Sequence, residues 1–143
     1  MKIEVNKTAP AYHETQILIH APAAKVYKVL SAVNHWPQWQ NDVTDAHLEG
    51  SVAPGKQFVW KARGFKIKSE IHTASPPSEL GWTGKMLWIK AIHNWTLIAE
   101  GRSTRVVVQE SLNGFLAGLM QKTLTKGMAQ NLYELKLEAE KPD

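Results

Sequence analysis

The sequence predicts an α+β domain in which an antiparallel sheet curves around a long C-terminal helix and leaves an apolar pocket between the two. Three observations predict this class. Apolar and polar residues alternate with a period of two through the middle of the chain, a short amphipathic segment follows the first strand, and apolar residues recur every three or four positions toward the chain end. An apolar sheet face and an apolar helical stripe must bury against each other, which places the helix on the sheet.

The first strand and the helices after it are marked by proline. β-branched and apolar residues over 13–19 predict a strand, and Pro22 suits the first turn of the following helix. Pro37 cannot continue that helix, so a second short helical turn carries Trp36 and Trp39 on one side. These two tryptophans either pack the short helices against the sheet edge or gate the pocket. The first helix, AAKVYKVLSAV, has one apolar face, formed by Val26, Tyr27, Leu30 and Val33.

Five strands with one polar face are predicted in the middle of the chain. Gly64-Phe65 joins the first two as a hairpin, and Pro76-Pro77 ends the second because proline cannot donate to a sheet ladder. The cations among them alternate with apolar residues, which predicts a solvated outer face. Clustered cations would also suit phosphate contacts, but we expect no nucleic-acid partner. The predicted strands are 58–63, 67–72, 79–88, 90–98 and 104–112, and the cations are Lys61, Arg63, Lys66 and Lys68.

The C-terminal segment predicts a single long helix with one apolar stripe. Gly127 lies on this stripe beside Met128, where a missing side chain either lets the helix approach the sheet or leaves cavity volume. We expect cavity volume. The stripe consists of Leu116, Leu119, Met120, Leu124, Met128, Leu132 and Leu135.

Composition excludes several classes of site. The 143 residues predict a single domain spanning 1–143, and the absence of cysteine excludes disulfides, thiolate zinc sites and cysteine nucleophiles. The N-terminus has no signal-peptide core and no apolar stretch approaches the ~20 residues of a membrane span. We therefore expect a cytoplasmic monomer or weak homodimer without stable membrane insertion.

The order of elements and several local patterns together resemble a known fold. Strand, two short helices, six strands and a long helix is the order of the helix-grip fold, which START-like lipid-transfer domains, plant pathogenesis-related allergens and polyketide cyclases share. APAAKVYKVLSAVNHWPQW resembles the first-helix segment of that fold, LGWTGK its mid-sheet strand, and HNWTL followed by STRVVVQESLNG its last hairpin. The resemblance covers about 13–138, and the branch it indicates is the polyketide cyclase/dehydrase-like bacterial proteins of the SRPBCC superfamily.

The resemblance implies a deep cavity for a small hydrophobic molecule, of ~300–1,000 Å³ for a typical site. It does not by itself imply an enzyme, since fold does not fix function. No HxH or HxxxH pair occurs among the six histidines, so an iron site like that of the ring-hydroxylase branch is not expected. We expect no metal and no cofactor.

The last hairpin holds the residues best suited to chemistry. A turn of two or four residues around Gly101-Arg102 would pair His93 with Glu110 on the inner face, whereas a turn of three or five would place Asn94 beside Glu110. A histidine and a carboxyl inside an apolar cavity can contact a ligand, satisfy each other, or act as a general acid and base. All three roles stay open at this point.

Three functions follow from this interpretation. The first is binding of a small hydrophobic or aromatic ligand, the second is a cyclase-, dehydratase- or hydrolase-type reaction with Glu110 and His93 as the acid–base pair, and the third is docking of another protein. The residues expected to line the ligand site are Phe58, Trp60, Ile71, Trp82, Met86, Trp95, Val106, Val108, Glu110, Leu116, Met120 and Met128.

Overall fold

The computed structural model describes residues 1–143 and contains one seven-stranded sheet and three α-helices, which confirms the helix-grip class. The strands are β1 (Ala11–Ile19), β2 (Val43–Leu48), β3 (Gln57–Ala62), β4 (Phe65–Ser75), β5 (Glu79–Met86), β6 (Ile89–Glu100) and β7 (Ser103–Gly114). The helices are α1 (Ala23–Ser31), α2 (Trp36–Trp39) and α3 (Gln121–Ala139), with 3-10 turns at Val33–His35 and Ala117–Met120.

The sheet is antiparallel throughout, in the order β1-β7-β6-β5-β4-β3-β2. Helix α3 packs along β1 and covers the apolar inner face. Its first turn is tied to β1 because the Gln121 side chain accepts from the Tyr12 N–H and donates to the Tyr12 carbonyl, each at 2.9 Å. The buried side of α3 includes Leu124, Met128, Leu132 and Leu135.

The β3–β4 turn differs from the prediction. Ala62 pairs with Phe65, so the two turn residues are Arg63 and Gly64, with φ of 53° and 81°. Two consecutive left-handed residues give a two-residue hairpin the twist of its flanking strands. The alternation of side chains that holds along β3 therefore does not extend to the turn residue Arg63. Arg63 therefore does not lie on the outer face with the lysines. Strand β2 was not predicted from the sequence. Its register shifts between Val43 and Asp45, so its buried and exposed residues do not alternate with a period of two.

The C-terminal helix begins at Gln121 and not at Leu116. Leu116 has a left-handed backbone, with φ of 62°, and a 3-10 turn follows it. This change of chain direction takes Leu116 and Leu119 off the buried stripe, and both side chains are exposed. None of the helices combines the length and the hydropathy that crossing a membrane requires.

Trp36 occupies the centre of an aromatic cluster on the inner face of the sheet. Its ring centroid lies 5.6 Å from that of Phe58, 5.2 Å from Trp60 and 5.4 Å from Trp82. Its indole N–H donates to the Leu30 carbonyl at 3.0 Å, so this large side chain is buried without an unpaired donor. Helix α2 packs against the edge strand β2, as expected, and it also places Trp36 over the inner face of β3 and β5.

Candidate functional site

A cavity of about 150 Å³ lies between the inner face of β3 to β7 and helix α3. Its wall is mainly apolar, and exposed lining residues, among them Arg63, Phe65 and Thr123, mark its mouth. The volume is below the expected ~300–1,000 Å³, because Trp36 and its aromatic neighbours fill the closed end of the sheet. An engineered cavity of about this size in another protein accommodates benzene.

The cavity exists because one row of inward-facing positions carries small side chains. Ser69 pairs with Gly84, Gly84 with Ala91, and Ala91 with Leu112, so the four residues form one row across β4 to β7. The side chains of the adjacent row are large or polar; this row consists of Ile71, Trp82, His93 and Glu110. The small row leaves space under α3, and the next row forms the inner wall of that space.

Glu110 and His93 are direct register partners in that inner wall. The β6–β7 hairpin has the two-residue turn Gly101-Arg102, because Glu100 pairs with Ser103. Glu110 Oε1 lies 3.3 Å from His93 Nδ1, and the side chains are 17% and 7% exposed. The His93 ring also packs against Trp82, with centroids 4.7 Å apart. His13 on β1 is the other register neighbour of Glu110.

Burial sets the protonation of this pair. It raises the pKa of the Glu110 carboxyl from 4.5 to about 8, although the charge of Arg63 offsets part of the rise. Burial also lowers the pKa of the His93 imidazole from 6.5 to about 3. Both groups are therefore neutral at pH 7, and a protonated carboxyl can donate a hydrogen bond as well as accept one. The pair is a polar but uncharged feature of an apolar wall.

Arg63 closes one side of the mouth. Its guanidinium contacts Asp42, with Nη2 2.8 Å and Nε 3.1 Å from Oδ2. It lies against α3 at Gly127, where an added Cβ would be 2.2 Å from Nη2. Gly127 lines the cavity, and the space beside it is occupied by Arg63. Gly127 thus contributes to the cavity wall, as expected, and its missing side chain also allows the close approach of Arg63 to the helix.

A second cavity of about 10 Å³ continues behind the pair. It shares five lining residues with the larger one, His93 among them. Three of its lining residues have a buried nitrogen without a hydrogen-bond partner, namely Trp39 Nε1, Trp95 Nε1 and His93 Nε2. A space of this size holds roughly one water or one ligand oxygen, and unpaired buried donors normally have such a partner.

The structure distributes the expected ligand-site residues over four environments. Trp60, Trp82, Met86, Glu110, Met120 and Met128 line the larger cavity, as does His93. Trp95 lines only the small one. Leu116 is exposed beside the mouth. Packed core outside both cavities contains Phe58, Ile71, Val106 and Val108.

Sequence reasoning missed the small row and the residues at the mouth. Ser69, Gly84 and Ala91 face inward at strand spacing, so a search for small inward residues could have located the void. Arg63 could have been found from the Arg-Gly dipeptide, which suits a two-residue turn. Asp42, Gln40 and the α3 residues Thr123 and Asn131 line the cavity without any signal in the sequence pattern. No group of three or more His, Cys, Asp and Glu side chains is arranged to hold a metal ion.

Comparison with known proteins places this geometry in a family. The chain is similar in fold to a hypothetical protein of Helicobacter pylori, with a TM-score of 0.83, 15% identity and 98% of both chains covered. It is similar to a START superfamily protein of Mycobacterium smegmatis, with a TM-score of 0.79, 13% identity, and coverage of 90% of this chain and 97% of that one. For the Zhui aromatase/cyclase of Streptomyces sp. R1128 the TM-score is 0.77 at 14% identity, with 90% and 93% covered.

These identities show a shared fold alone, and no curated protein sequence matches the chain. The sequence profile of one family, described as polyketide cyclase / dehydrase and lipid transport, matches residues 12–140. That match spans nearly the whole chain. It includes all three helices and all seven strands, apart from the first residue of β1. The chain belongs to the polyketide cyclase/dehydrase and lipid transport family.

Proposed function

We propose that the chain binds a small, neutral, apolar or aromatic molecule that carries one carbonyl oxygen. The observation that supports this proposal is the uncharged Glu110–His93 pair in the wall of an otherwise apolar cavity of about 150 Å³. A ligand of one or two rings fits that volume. A charged ligand would lose its hydration without an opposite charge on the inner wall, which is costly.

The hydrogen-bond donors near the inner end favour an acceptor on the ligand. Protonated Glu110 offers an O–H, and the indole N–H groups of Trp39 and Trp95 have no protein partner. A carbonyl oxygen accepts from such donors without needing to donate in return. We further propose that the chain acts as a monomer or weak homodimer in the cytoplasm.

Isothermal titration with acetophenone and α-methylstyrene tests this proposal, because the two have closely similar shapes and only acetophenone has an oxygen. A neutral hydrogen bond of about 0.5–1.5 kcal/mol predicts that acetophenone binds roughly 2- to 12-fold more tightly. Glu110→Leu should remove that preference, while Glu100→Gln, an exposed carboxyl at the other end of the same hairpin, should keep it. Equal affinity of the native protein for the two compounds would contradict the proposal.

The same raised pKa favours a second candidate, in which Glu110 acts as a general acid. A carboxyl that is protonated at neutral pH can give its proton to a carbonyl or leaving hydroxyl oxygen, as dehydration and cyclisation require. Glu110→Gln keeps a donor of similar shape but has no proton to transfer. Under the binding proposal this variant retains function. Under the enzyme proposal it retains affinity, and turnover falls by about 10²–10⁴.

A further inference from the structure

The cavity mouth is surrounded by apolar side chains that are open to solvent. Five large residues, which we call the apolar rim, are between 51% and 78% exposed: Leu87, Trp88, Phe115, Leu116 and Leu119. They come from the β5–β6 turn and from the segment between β7 and α3. Their chain neighbours Met86, Ile89 and Met120 line the cavity, so the rim and the mouth are continuous. Exposed apolar groups that cluster in this way indicate a contact surface.

The backbone at the mouth is strained in a way that keeps these side chains exposed. The chain has three non-glycine residues with positive φ, and all three are at this end: Arg63, Leu87 and Leu116. Glycine or asparagine would adopt such turns at lower cost. Strain of this kind is tolerated mainly where function requires the side chain.

The same end of the molecule carries a large excess of positive charge. Segments 61–68, 85–90 and 122–126 contain eight lysines and arginines and no aspartate or glutamate. All eight are exposed, and Arg63 alone has an acidic partner within 4.0 Å, namely Asp42. The net charge of the whole chain is only +4, so this end is far more basic than the rest.

Five of these residues, the lysine ladder, occupy adjoining positions on the outer face of the sheet. Lys61 pairs with Lys66, Lys68 pairs with Lys85, and Lys85 pairs with Lys90. Like charges directly opposite each other destabilise a sheet. Two acids border this face: Asp45, the register partner of Lys61, and Glu70, which accepts from Gln57 at 3.2 Å; neither carboxylate lies within 4.0 Å of a ladder ammonium. A ladder whose lysines form no ion pair within the protein is suited to an anionic surface outside it.

We propose that the apolar rim and the lysine ladder dock the cavity mouth onto an anionic phospholipid membrane. Lys85 and Lys90 each lie two residues behind the Leu87-Trp88 turn, or about 7 Å along the strand. Amphipathic elements bury their apolar side by about 5–10 Å in the interfacial region, which places these ammonium groups at the level of the lipid phosphates. Nucleic acid would leave the rim unburied, and a second copy on this face would bring like charges together.

Vesicle sedimentation with the full chain tests the docking. We expect binding to vesicles of phosphatidylcholine with phosphatidylglycerol, weak binding to phosphatidylcholine alone, and release as salt rises from about 0.1 to 1 M. Lys85→Glu with Lys90→Glu should lower the partition coefficient at least about 25-fold, at about five-fold for each lysine near the surface. Lys28→Glu with Arg102→Glu, away from the mouth, is the matched charge control and should leave it unchanged.

The apolar contribution is tested separately. Leu87→Ser should weaken vesicle binding, whereas Ile98→Ser, which changes a similarly exposed side chain elsewhere on β6, should not. Vesicles should shift the Trp88 emission to shorter wavelength, and Trp88→Phe should remove that shift. Equal binding to neutral and anionic vesicles, binding to neither, or equal losses in the control variants would overturn the proposal. Binding of duplex DNA or of an acidic protein in place of vesicles would also overturn it. Acetophenone titrations without vesicles report on the cavity alone, so the two proposals fail independently.

Discussion

Replacing Glu110 by glutamine should stabilise the protein at neutral and alkaline pH, which is unusual for a buried polar group. Below pH 4.5 the carboxyl is protonated in both the folded and the unfolded chain. Between pH 4.5 and about 8 the unfolded chain releases this proton while the folded chain keeps it. The free energy of unfolding of the native protein therefore falls as pH rises through this window. Glutamine has no proton to lose, so the variant lacks this slope.

The size of the effect follows from the pKa. At about 1.4 kcal/mol for each pKa unit, the rise from 4.5 to about 8 corresponds to at most about 5 kcal/mol between pH 4.5 and 8. Glu110 is 17% exposed, so cavity water reduces this penalty. We expect the variant to gain about 2–4 kcal/mol relative to the native protein over the window, or roughly 5–15 °C in Tm.

Thermal unfolding of both proteins at half-unit steps from pH 4.5 to 8.5 measures this divergence, and other titrating groups cancel in the comparison. Glu100→Gln serves as the control, since the hydrogen bond from Arg105 lowers the pKa of that exposed carboxyl and any divergence should have the opposite sign and be confined to the acid end of the range. Parallel curves for Glu110→Gln and the native protein would mean that Glu110 ionises at its ordinary pKa. A native protein that gains stability against the variant as pH rises would mean an ion pair with His93, and either result would refute the reasoning.

Four further predictions concern neighbouring residues. His93→Gln should stabilise the protein between pH 3 and 6.5. Burial lowers the pKa of His93 to about 3, so the free energy of unfolding of the native protein decreases as pH is lowered from 6.5 to 3, and acid unfolding curves measure this. Lys85→Glu should raise Tm while it weakens vesicle binding, since it relieves like-charge pairs worth about 0.2–1 kcal/mol each. Trp95→Phe should reduce the affinity for acetophenone about 2- to 12-fold in the same titration, because it removes an N–H without a protein partner. Gly127→Ala should displace Arg63, so a double-mutant cycle of Tm values with Arg63→Ala should be non-additive.

The fold was predictable because its signals are local and repeated. Alternation located the strands from β3 to β7, and prolines bounded α1. The turn at Gly101-Arg102 was located without its length, so His93 and Asn94 both remained candidates to face Glu110, and the two-residue turn of the structure selects His93. The irregular strand β2 and the start of α3 were missed, since a register shift and a left-handed Leu116 leave no periodic trace.

The cavity was predictable in position but less so in content. Inner-face residues follow from alternation, yet alternation does not tell which of them touch a void and which touch one another. Phe58 contacts the Trp36 ring and not the cavity. Trp36 belongs to the short helix α2, and no periodic pattern in the sequence predicts how deeply that helix reaches into the core. Arg63 reaches the cavity only because its turn is left-handed.

Under the proposed function, the neighbouring inner rows of the sheet divide the recognition of a ligand into two separable properties. Side-chain size at Ser69, Gly84 and Ala91 would set how large a molecule fits, while Glu110 and His93, one row further in, would select its functional group. A Cβ added at Gly84 would meet its nearest atoms at 3.4 Å, so that position can gain a methyl group without a severe clash. Evolution or design can therefore change the ligand size that this scaffold accepts in single steps, without altering the chemistry of the contact behind it.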